Sequence, residues 1–180
     1  MLTRRRIAGV LLAGTLLVVS TLVGGVAPAS AVDPAFPSHW PKYRLLERAT
    51  GNLYLDVSNS GPANAAVQLW FGNNSDAQLW IWETASEGGD YLHPGYNRNL
   101  CLDFDGERGW GVPMEVNNCN GSASQRWHFA PAWGGGHQLA THSDYVICVD
   151  VPGSNFSAGQ RLQLWGCNGT GAQSWTVYAG

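Results

Sequence analysis

The chain has 180 residues, and its ten basic and thirteen acidic side chains give a formal net charge of −3. This balance provides no basic surface for nucleic acid, so we expect no nucleic-acid partner. The chain also carries nine tryptophans and four cysteines, a high aromatic content for its length.

The N-terminal 31 residues are typical of a secretory signal peptide. A basic start, Arg4-Arg5-Arg6, precedes a mostly apolar run over 7–26, and Ala29-Ser30-Ala31 matches a small-x-small cleavage site. We therefore expect cleavage before Val32, a secreted extracellular product and no membrane association after cleavage. A retained membrane anchor is the alternative interpretation of the same apolar run.

After the signal peptide (1–31), we predict a short leader at 32–39 and one folded domain at 40–180. The mature chain of about 149 residues suits a single domain. Three of the basic side chains leave with the signal, so the mature protein has a formal charge of about −6. We expect it to be a monomer.

A tripeptide of the form Gln-x-Trp divides the folded part into three units. Its copies lie 47 and 48 residues apart. A fixed period of this size indicates one supersecondary unit built three times, and we place the units at about 40–84, 85–132 and 133–178. The copies are Gln78-Leu79-Trp80, Gln125-Arg126-Trp127 and Gln173-Ser174-Trp175.

Each unit has the residue pattern of short β-strands. In the first unit Leu53, Leu55 and Val57 alternate with Tyr54 and Asp56, and the third unit repeats this pattern. Strict alternation predicts half-buried strands, and the Gly, Pro, Asn and Ser residues between the runs are turn formers. No window after the N-terminal segment has helical periodicity, so the predicted fold class is all-β.

The four cysteines occupy equivalent places in the second and third units. The repeat therefore favours the disulfides Cys101–Cys119 and Cys148–Cys167, each closing the same loop of its own unit. A metal site formed by all four cysteines is the alternative, although the chain has no Cys-x-x-Cys pair. The five histidines have no ligand spacing, so we predict no metal and no cofactor.

The repeat resembles the ricin B-chain-type lectins and family 13 carbohydrate-binding modules. The resemblance rests on three copies in register of runs such as Gln163-Leu164-Trp165-Gly166-Cys167-Asn168-Gly169, each followed by Gln-x-Trp, and it covers essentially the whole mature chain. It implies a β-trefoil, with three four-stranded units around a pseudo-threefold axis and up to three shallow sugar sites. It also implies that Trp80, Trp127 and Trp175 fill the shared core.

In this family an Asp and an aromatic residue of each unit form the sugar site. A carboxylate accepts hydrogen bonds from two adjacent hydroxyls, and a flat ring covers the C–H face of the sugar. Carried over by position, the resemblance implies two competent sites and a weaker one. The first unit has Asp56, Gln68, Trp70 and Gln78, the third has Asp150, Gln163, Trp165 and Gln173, and the weaker second unit has Asp103 and Gln125 beside Glu115 and Asn117.

Two features depart from the family pattern. Asn117 has no ring, so the second site lacks its aromatic face, and Trp110 in the preceding loop is a candidate substitute. The Asn that often precedes the Gln of Gln-x-Trp is replaced by Ala77, Ser124 and Ala172. We expect Asn74 and Asn168 as candidates to supply the missing amide.

We predict a secreted lectin that binds galactose- or xylose-containing glycans and catalyses no reaction. The acidic residues outside the repeat lie in Gly-rich loops, and no Gly-x-Ser-x-Gly elbow or zinc-binding helix motif occurs. The alternative is a β-trefoil that binds another protein as an inhibitor or effector, with degenerate sugar sites. A small secreted hydrolase is the third and least favoured interpretation.

Overall fold

The computed structural model describes residues 41–180. The predicted signal peptide at 1–31 and the leader at 32–39 lie outside the described residues. Among residues 41–180, no helix has the length and apolar character needed to cross a membrane.

Twelve β-strands and four single turns of 3-10 helix make up the described part of the chain. Four strands fall in each predicted unit, which confirms the all-β class and the threefold repeat. The strands are β1 (Lys42–Glu47), β2 (Leu53–Val57), β3 (Ala65–Phe71), β4 (Trp80–Thr84), β5 (Asp90–Pro94), β6 (Leu100–Phe104), β7 (Met114–Asn118), β8 (Trp127–Pro131), β9 (His137–Thr141), β10 (Ile147–Asp150), β11 (Gln163–Gly166) and β12 (Trp175–Ala179).

The first and last strands of the three units close into a six-stranded antiparallel barrel. Around the barrel β1 pairs with β4, β4 with β5, β5 with β8, β8 with β9, β9 with β12, and β12 returns to β1. The middle strands of each unit form the hairpins β2–β3, β6–β7 and β10–β11. A closed barrel with three hairpins is the β-trefoil that the resemblance implies.

The three Gln-x-Trp tryptophans lie in the core, where Trp80, Trp127 and Trp175 are fully buried. The indole Nε1 of Trp80 donates to the carbonyl of Leu55 at 3.1 Å, and Trp127 repeats this bond to Leu102 at 3.0 Å. Among the described residues, the Nε1 of Trp175 has no partner. Each buried indole removes a large apolar area from water, so these side chains join the units of the barrel.

Both predicted disulfides are formed, Cys101–Cys119 and Cys148–Cys167. The first unit has Tyr54 and Gly72 at the equivalent positions. A Cβ on Gly72 would lie 2.7 Å from the Tyr54 ring, so the ring fills the place that a bridge takes in the other two units.

A loop of each unit pairs with the hairpin of the next unit around the axis. The contact is a backbone hydrogen bond from a residue with positive φ, which favours Gly or Asn. The three bonds are Asn64 N to Val116 O at 2.8 Å, Gly111 N to Leu164 O at 2.7 Å and Gly159 N to Leu69 O at 2.8 Å. Each hairpin therefore accepts the same backbone hydrogen bond from the neighbouring unit, although the side chains of the donating loops differ.

Candidate functional site

The first unit forms an open surface pocket at the β2–β3 hairpin. Asp56 at the end of β2 forms its floor, the 3-10 turn Ser58–Ser60 forms one wall, and β3 contributes two further side chains. The lining side chains include Asp56, Gln68, Trp70, Asn73, Ser75 and Ala77. These residues combine a carboxylate, two amides, a hydroxyl and an indole within one concave surface.

The Asp56 carboxylate is held by an amide from the opposite strand. Asp56 pairs in register with Gln68, whose Nε2 donates to the carboxylate at 3.0 Å. Burial raises the pKa of Asp56 above its ordinary value, although hydrogen bonds from Gln68 and Gln78 oppose the rise. The group is therefore a partly desolvated acceptor with a fixed orientation.

The third unit repeats this geometry. Gln163 Nε2 donates to Asp150 at 2.8 Å, and Gln173 Nε2 donates to the other carboxylate oxygen at 3.1 Å. Burial again raises the pKa of Asp150, against the two amide hydrogen bonds. The pocket is lined by Asp150, Gln163, Trp165, Asn168, Thr170 and Ala172, together with the turn Pro152–Ser154.

An exposed indole stands beside each of these two carboxylates. Trp70 lies on β3 two residues from Gln68, and Trp165 lies on β11 two residues from Gln163, so each shares its sheet face with the amide. Their exposed fractions are 41% and 38%. The core tryptophans have none, so the structure separates the two roles that the sequence predicts for indoles.

The Gln-x-Trp glutamines do not line the pockets. Gln78, Gln125 and Gln173 are at most 1% exposed. Each accepts a backbone N–H through Oε1 and donates to a backbone carbonyl through Nε2, which fixes the loop before the last strand of its unit. These glutamines also hydrogen-bond the aspartates of their units, and their predicted contact with a sugar stays a prediction.

Of the two asparagines expected to supply the missing amide, one lines its pocket and the other is replaced by its sequence neighbour. Asn168 lines the third pocket as predicted, but Asn73, and not Asn74, lines the first. The Oδ1 of Asn73 accepts from the Ser75 N–H at 2.9 Å, and that of Asn168 accepts from Thr170 at 3.0 Å. These turns therefore engage the amide oxygens of both side chains.

The second unit has a different electrostatic character. Glu115 occupies the position of Gln68 and Gln163, so a second carboxylate faces Asp103. Burial raises the pKa of Glu115, and the charges of Asp105 and Asp103 raise it further. Asn117, in the place of the exposed indole, donates to Glu115 and to Asn64 of the first unit, each at 3.4 Å.

The loop that follows β6 in the second unit makes its contacts with the third unit. Arg108 hydrogen-bonds Asp144 and Ser143 of the third unit. The neighbouring hollow is lined by Phe104, Gly106, Arg108, Ala123, Ser124, Thr141 and Ser143, and includes neither Asp103 nor Asn117. The structure brings Asp103 and Gln125 together through a 2.8 Å hydrogen bond, and the hollow beside them is lined by Phe104 and Ser124 but not by the Asp103 carboxylate.

Trp110 does not complete the second site. Its ring lies 5.4 Å from that of Trp165, centroid to centroid, in the third unit. The hydrogen bond from Gly111 to Leu164 carries the loop there. Comparing equivalent positions within units missed this contact, because it joins two units.

One group of metal-ligating residues occurs in the described part of the chain. His93, Cys101 and Cys119 place their ligand atoms within 4.8 Å of one another. Both sulfurs belong to the Cys101–Cys119 disulfide, and His93 Nε2 lies 3.0 Å from Glu83. A bridged pair offers no thiolate to an ion, so this group is part of the fold.

Two family profiles match the chain in overlapping stretches. The profile described as "Ricin-type beta-trefoil lectin domain" matches residues 91–180, and that described as "Ricin-type beta-trefoil lectin domain-like" matches residues 36–116. The chain belongs to the ricin-type beta-trefoil lectin domain family. The two matches together cover all three units of this lectin domain.

Solved structures share the trefoil of this lectin domain at low sequence identity. The Macrolepiota procera ricin B-like lectin, solved in complex with lactose, has a TM-score of 0.65 and 15% identity, with 77% of this chain and 95% of that one covered. The exo-beta-1,3-galactanase 1,3Gal43A from Clostridium thermocellum has a TM-score of 0.69 and 23% identity, over 78% of this chain and 30% of the enzyme. At these identities the likeness concerns the fold.

A curated relative is similar over a shorter stretch. Serine protease 1 of Rarobacter faecitabidus is 62% identical over 35% of this lectin domain chain. The chain spans 13% of that protein's length. Among the solved structures, the trefoil is nearly the whole chain of the Macrolepiota procera lectin and a minor part of the galactanase chain.

Proposed function

We propose that this protein is a secreted, non-catalytic lectin that binds galactose- or xylose-containing glycans through its first and third units. The observation that carries the proposal is the duplicated pocket, in which a fixed carboxylate, an amide donor and an exposed indole recur in the same arrangement. Family membership supports the choice of a carbohydrate ligand, as does the Macrolepiota procera lectin, whose structure was solved with lactose.

The carboxylate, the amide and the indole of each pocket have different expected roles in sugar binding. The carboxylate of Asp56 or Asp150 accepts hydrogen bonds from two adjacent sugar hydroxyls, and charge-assisted bonds are the stronger kind. Asn73 or Asn168 donates to a hydroxyl oxygen, and the indole covers the C–H face of the ring.

We expect each site to bind weakly, with a dissociation constant of about 1 mM, or about −4 kcal/mol. The pockets are open, so bound sugar keeps contact with water. Two such pockets on one rigid barrel give a much higher apparent affinity on a polymer than on a free sugar.

The test is retention on immobilised galactan and xylan. We expect the wild-type protein to be retarded on one of them, Asp56→Ala and Asp150→Ala to be retarded less, and the double variant to elute with the void. Asp103→Ala is the matched control, because it removes the equivalent carboxylate from a unit that has Asn117 in place of the exposed indole and whose hollow Asp103 does not line. Equal elution of the wild-type and double variant on both columns would contradict the proposal and favour a protein-binding trefoil.

A further inference from the structure

The loop residue that precedes the positive-φ position differs among the three units. This position is Ala63 before Asn64, Trp110 before Gly111 and Ala158 before Gly159. The backbone hydrogen bonds that follow it are equivalent in all three units. The second unit thus carries a large indole where the first and third units carry a methyl group, while the backbone hydrogen bonds are the same in all three.

The cyclic order of the units brings this indole to the third site. Gly111 N donates to Leu164 O and Leu164 N donates to Val112 O, both at 2.7 Å, so the loop runs along the free edge of β11. The Trp110 ring also lies at ordinary van der Waals distance from the position that a Cβ on Gly166 would take. The backbone of β11 in the third unit therefore fixes the position of the Trp110 ring.

The two indoles form one continuous apolar surface. The ring planes of Trp110 and Trp165 are inclined by 36°, and Trp110 is 69% exposed. Trp165 lines the Asp150 pocket and Trp110 does not, so Trp110 extends the surface outward from the pocket. At the first site the residue equivalent to Trp110 is Ala158, which offers no ring, and a Cβ on the following Gly159 would lie 3.7 Å from the Trp70 ring.

We propose that the third site continues past Trp165 onto Trp110, so that the two indoles bind adjacent rings of a glycan chain while the first site binds a single ring. The inference rests on the proposed carbohydrate binding. The two indole centroids lie 5.4 Å apart, so the rings are in contact, and a glycan chain that leaves Trp165 meets the exposed Trp110 next. The third site is then selective for chain length, and the first is not.

Isothermal titration of the two sites separately tests this proposal. Asp56→Ala leaves the third site and Asp150→Ala leaves the first, and each is titrated with galactose, galactotetraose, xylose and xylotetraose. We expect the third site to prefer the tetrasaccharide over the monosaccharide roughly tenfold more than the first site does, a difference of about 1.4 kcal/mol. Adding Trp110→Ala should abolish this excess and leave monosaccharide affinity unchanged.

The reciprocal change is Ala158→Trp, which places an indole beside Trp70 and should give the first site a chain-length preference. Ala63→Trp is its matched control beside Asn117, where we expect no gain. Thermal melting checks that each variant folds. An equal loss of monosaccharide and tetrasaccharide affinity in Trp110→Ala would show that Trp110 only braces Trp165 and would overturn the proposal.

Two further outcomes separate this proposal from the one it rests on. Monosaccharide binding at both sites without a chain-length preference at the third would overturn this inference alone. Absence of binding by every sugar at both sites would contradict the proposed function as well.

Discussion

The Nε2 of Gln163 donates to the carboxylate of Asp150 over 2.8 Å, across the two strands of a single hairpin. This bond holds an ionised acceptor at the floor of the third pocket without neutralising its charge, because the donor is a neutral amide. The equivalent pair in the second unit is Asp103 with Glu115, two acids that cannot donate to each other when ionised. In the second unit a carboxylate, which lies 3.7 Å from Arg161, thus takes the place of the amide donor of units one and three.

The first prediction exchanges these two arrangements. Gln163→Glu in the Asp56→Ala background should lower sugar affinity at the third site about tenfold, since the new carboxylate repels Asp150 and removes its amide partner. Titration calorimetry with xylotetraose and galactotetraose measures the loss. Gln163→Asn, which keeps an amide, is the control, and a Gln163→Glu variant with unchanged affinity would contradict the assigned role of this pair.

The second prediction restores the missing site. Glu115→Gln with Asn117→Trp recreates the amide and the indole of the other two units opposite Asp103. We expect weak sugar binding to appear in a protein whose other sites are removed by Asp56→Ala and Asp150→Ala. Because the Arg108 loop still turns toward Asp144, the affinity should remain below that of the first site. Detection by saturation-transfer NMR suits a ligand this weak.

The third prediction concerns pH. Burial raises the pKa of Asp56 and Asp150, so their ionised forms are lost, as pH falls, earlier than those of ordinary aspartates near pH 3.9. Sugar binding should therefore decline on acidification with a midpoint above that value. Affinity measured between pH 3 and pH 7 gives the midpoint, and a protein that binds equally well at both ends would contradict the role of the carboxylates.

The raised pKa values of Asp56 and Asp150 also predict that stability changes with pH in the direction opposite to sugar binding. A raised aspartate pKa contributes stability below the unfolded-state pKa, and this contribution is lost as pH rises through the folded-state pKa. At neutral pH, Asp150→Asn should thus cost little stability while abolishing charge-assisted sugar binding at the third site. Urea unfolding at pH 7 and sugar titration of the same variant check the two halves of this prediction.

The fourth prediction separates core from surface tryptophans. Trp127→Ala should lower the free energy of unfolding by about 3–5 kcal/mol, because it empties a fully buried site. Trp133→Ala is the matched control, since this side chain is 86% exposed, and we expect a change within about 0.5 kcal/mol. Chemical denaturation followed by circular dichroism measures both, and equal effects would contradict the assigned packing.

The fifth prediction concerns the disulfides. Replacing Cys148 and Cys167 together by Ser should lower the free energy of unfolding by about 3 kcal/mol, because the bridge closes a loop of 19 residues. The first unit has no bridge and relies on Tyr54 packed over Gly72. A reducing agent should therefore lower the melting temperature of the protein with its two disulfides but leave it folded. Calorimetry measures this change.

The repeat made most of the fold predictable. Equivalent positions carry equivalent roles when three units share a core, so the three strand-rich units and the cysteine pairs followed from spacing, whereas the buried tryptophans and the site carboxylates were implied by the resemblance. The β-trefoil itself came from the resemblance, since alternation predicts strands without their partners. The impaired second site was also visible, because Glu115 and Asn117 change the chemistry of two aligned positions.

The remaining details depend on contacts that spacing does not encode. The position of Trp110 follows from which hairpin lies next around the barrel axis, a property of the closed fold. The burial of Gln78 and Gln173 depends on the backbone of the loop that folds over them. Asn73 and Asn74 are neighbours in sequence, and only the turn decides which one lines the pocket.

Sugar recognition by the two exposed indoles is best tested by an NMR titration that follows the indole N–H signals of the isotope-labelled protein as xylan or galactan oligosaccharide is added. We predict progressive shifts for Trp70 and Trp165, with the signals of the buried Trp80, Trp127 and Trp175 unchanged. Shifts confined to other tryptophans, or no shift at saturating oligosaccharide, would contradict this assignment.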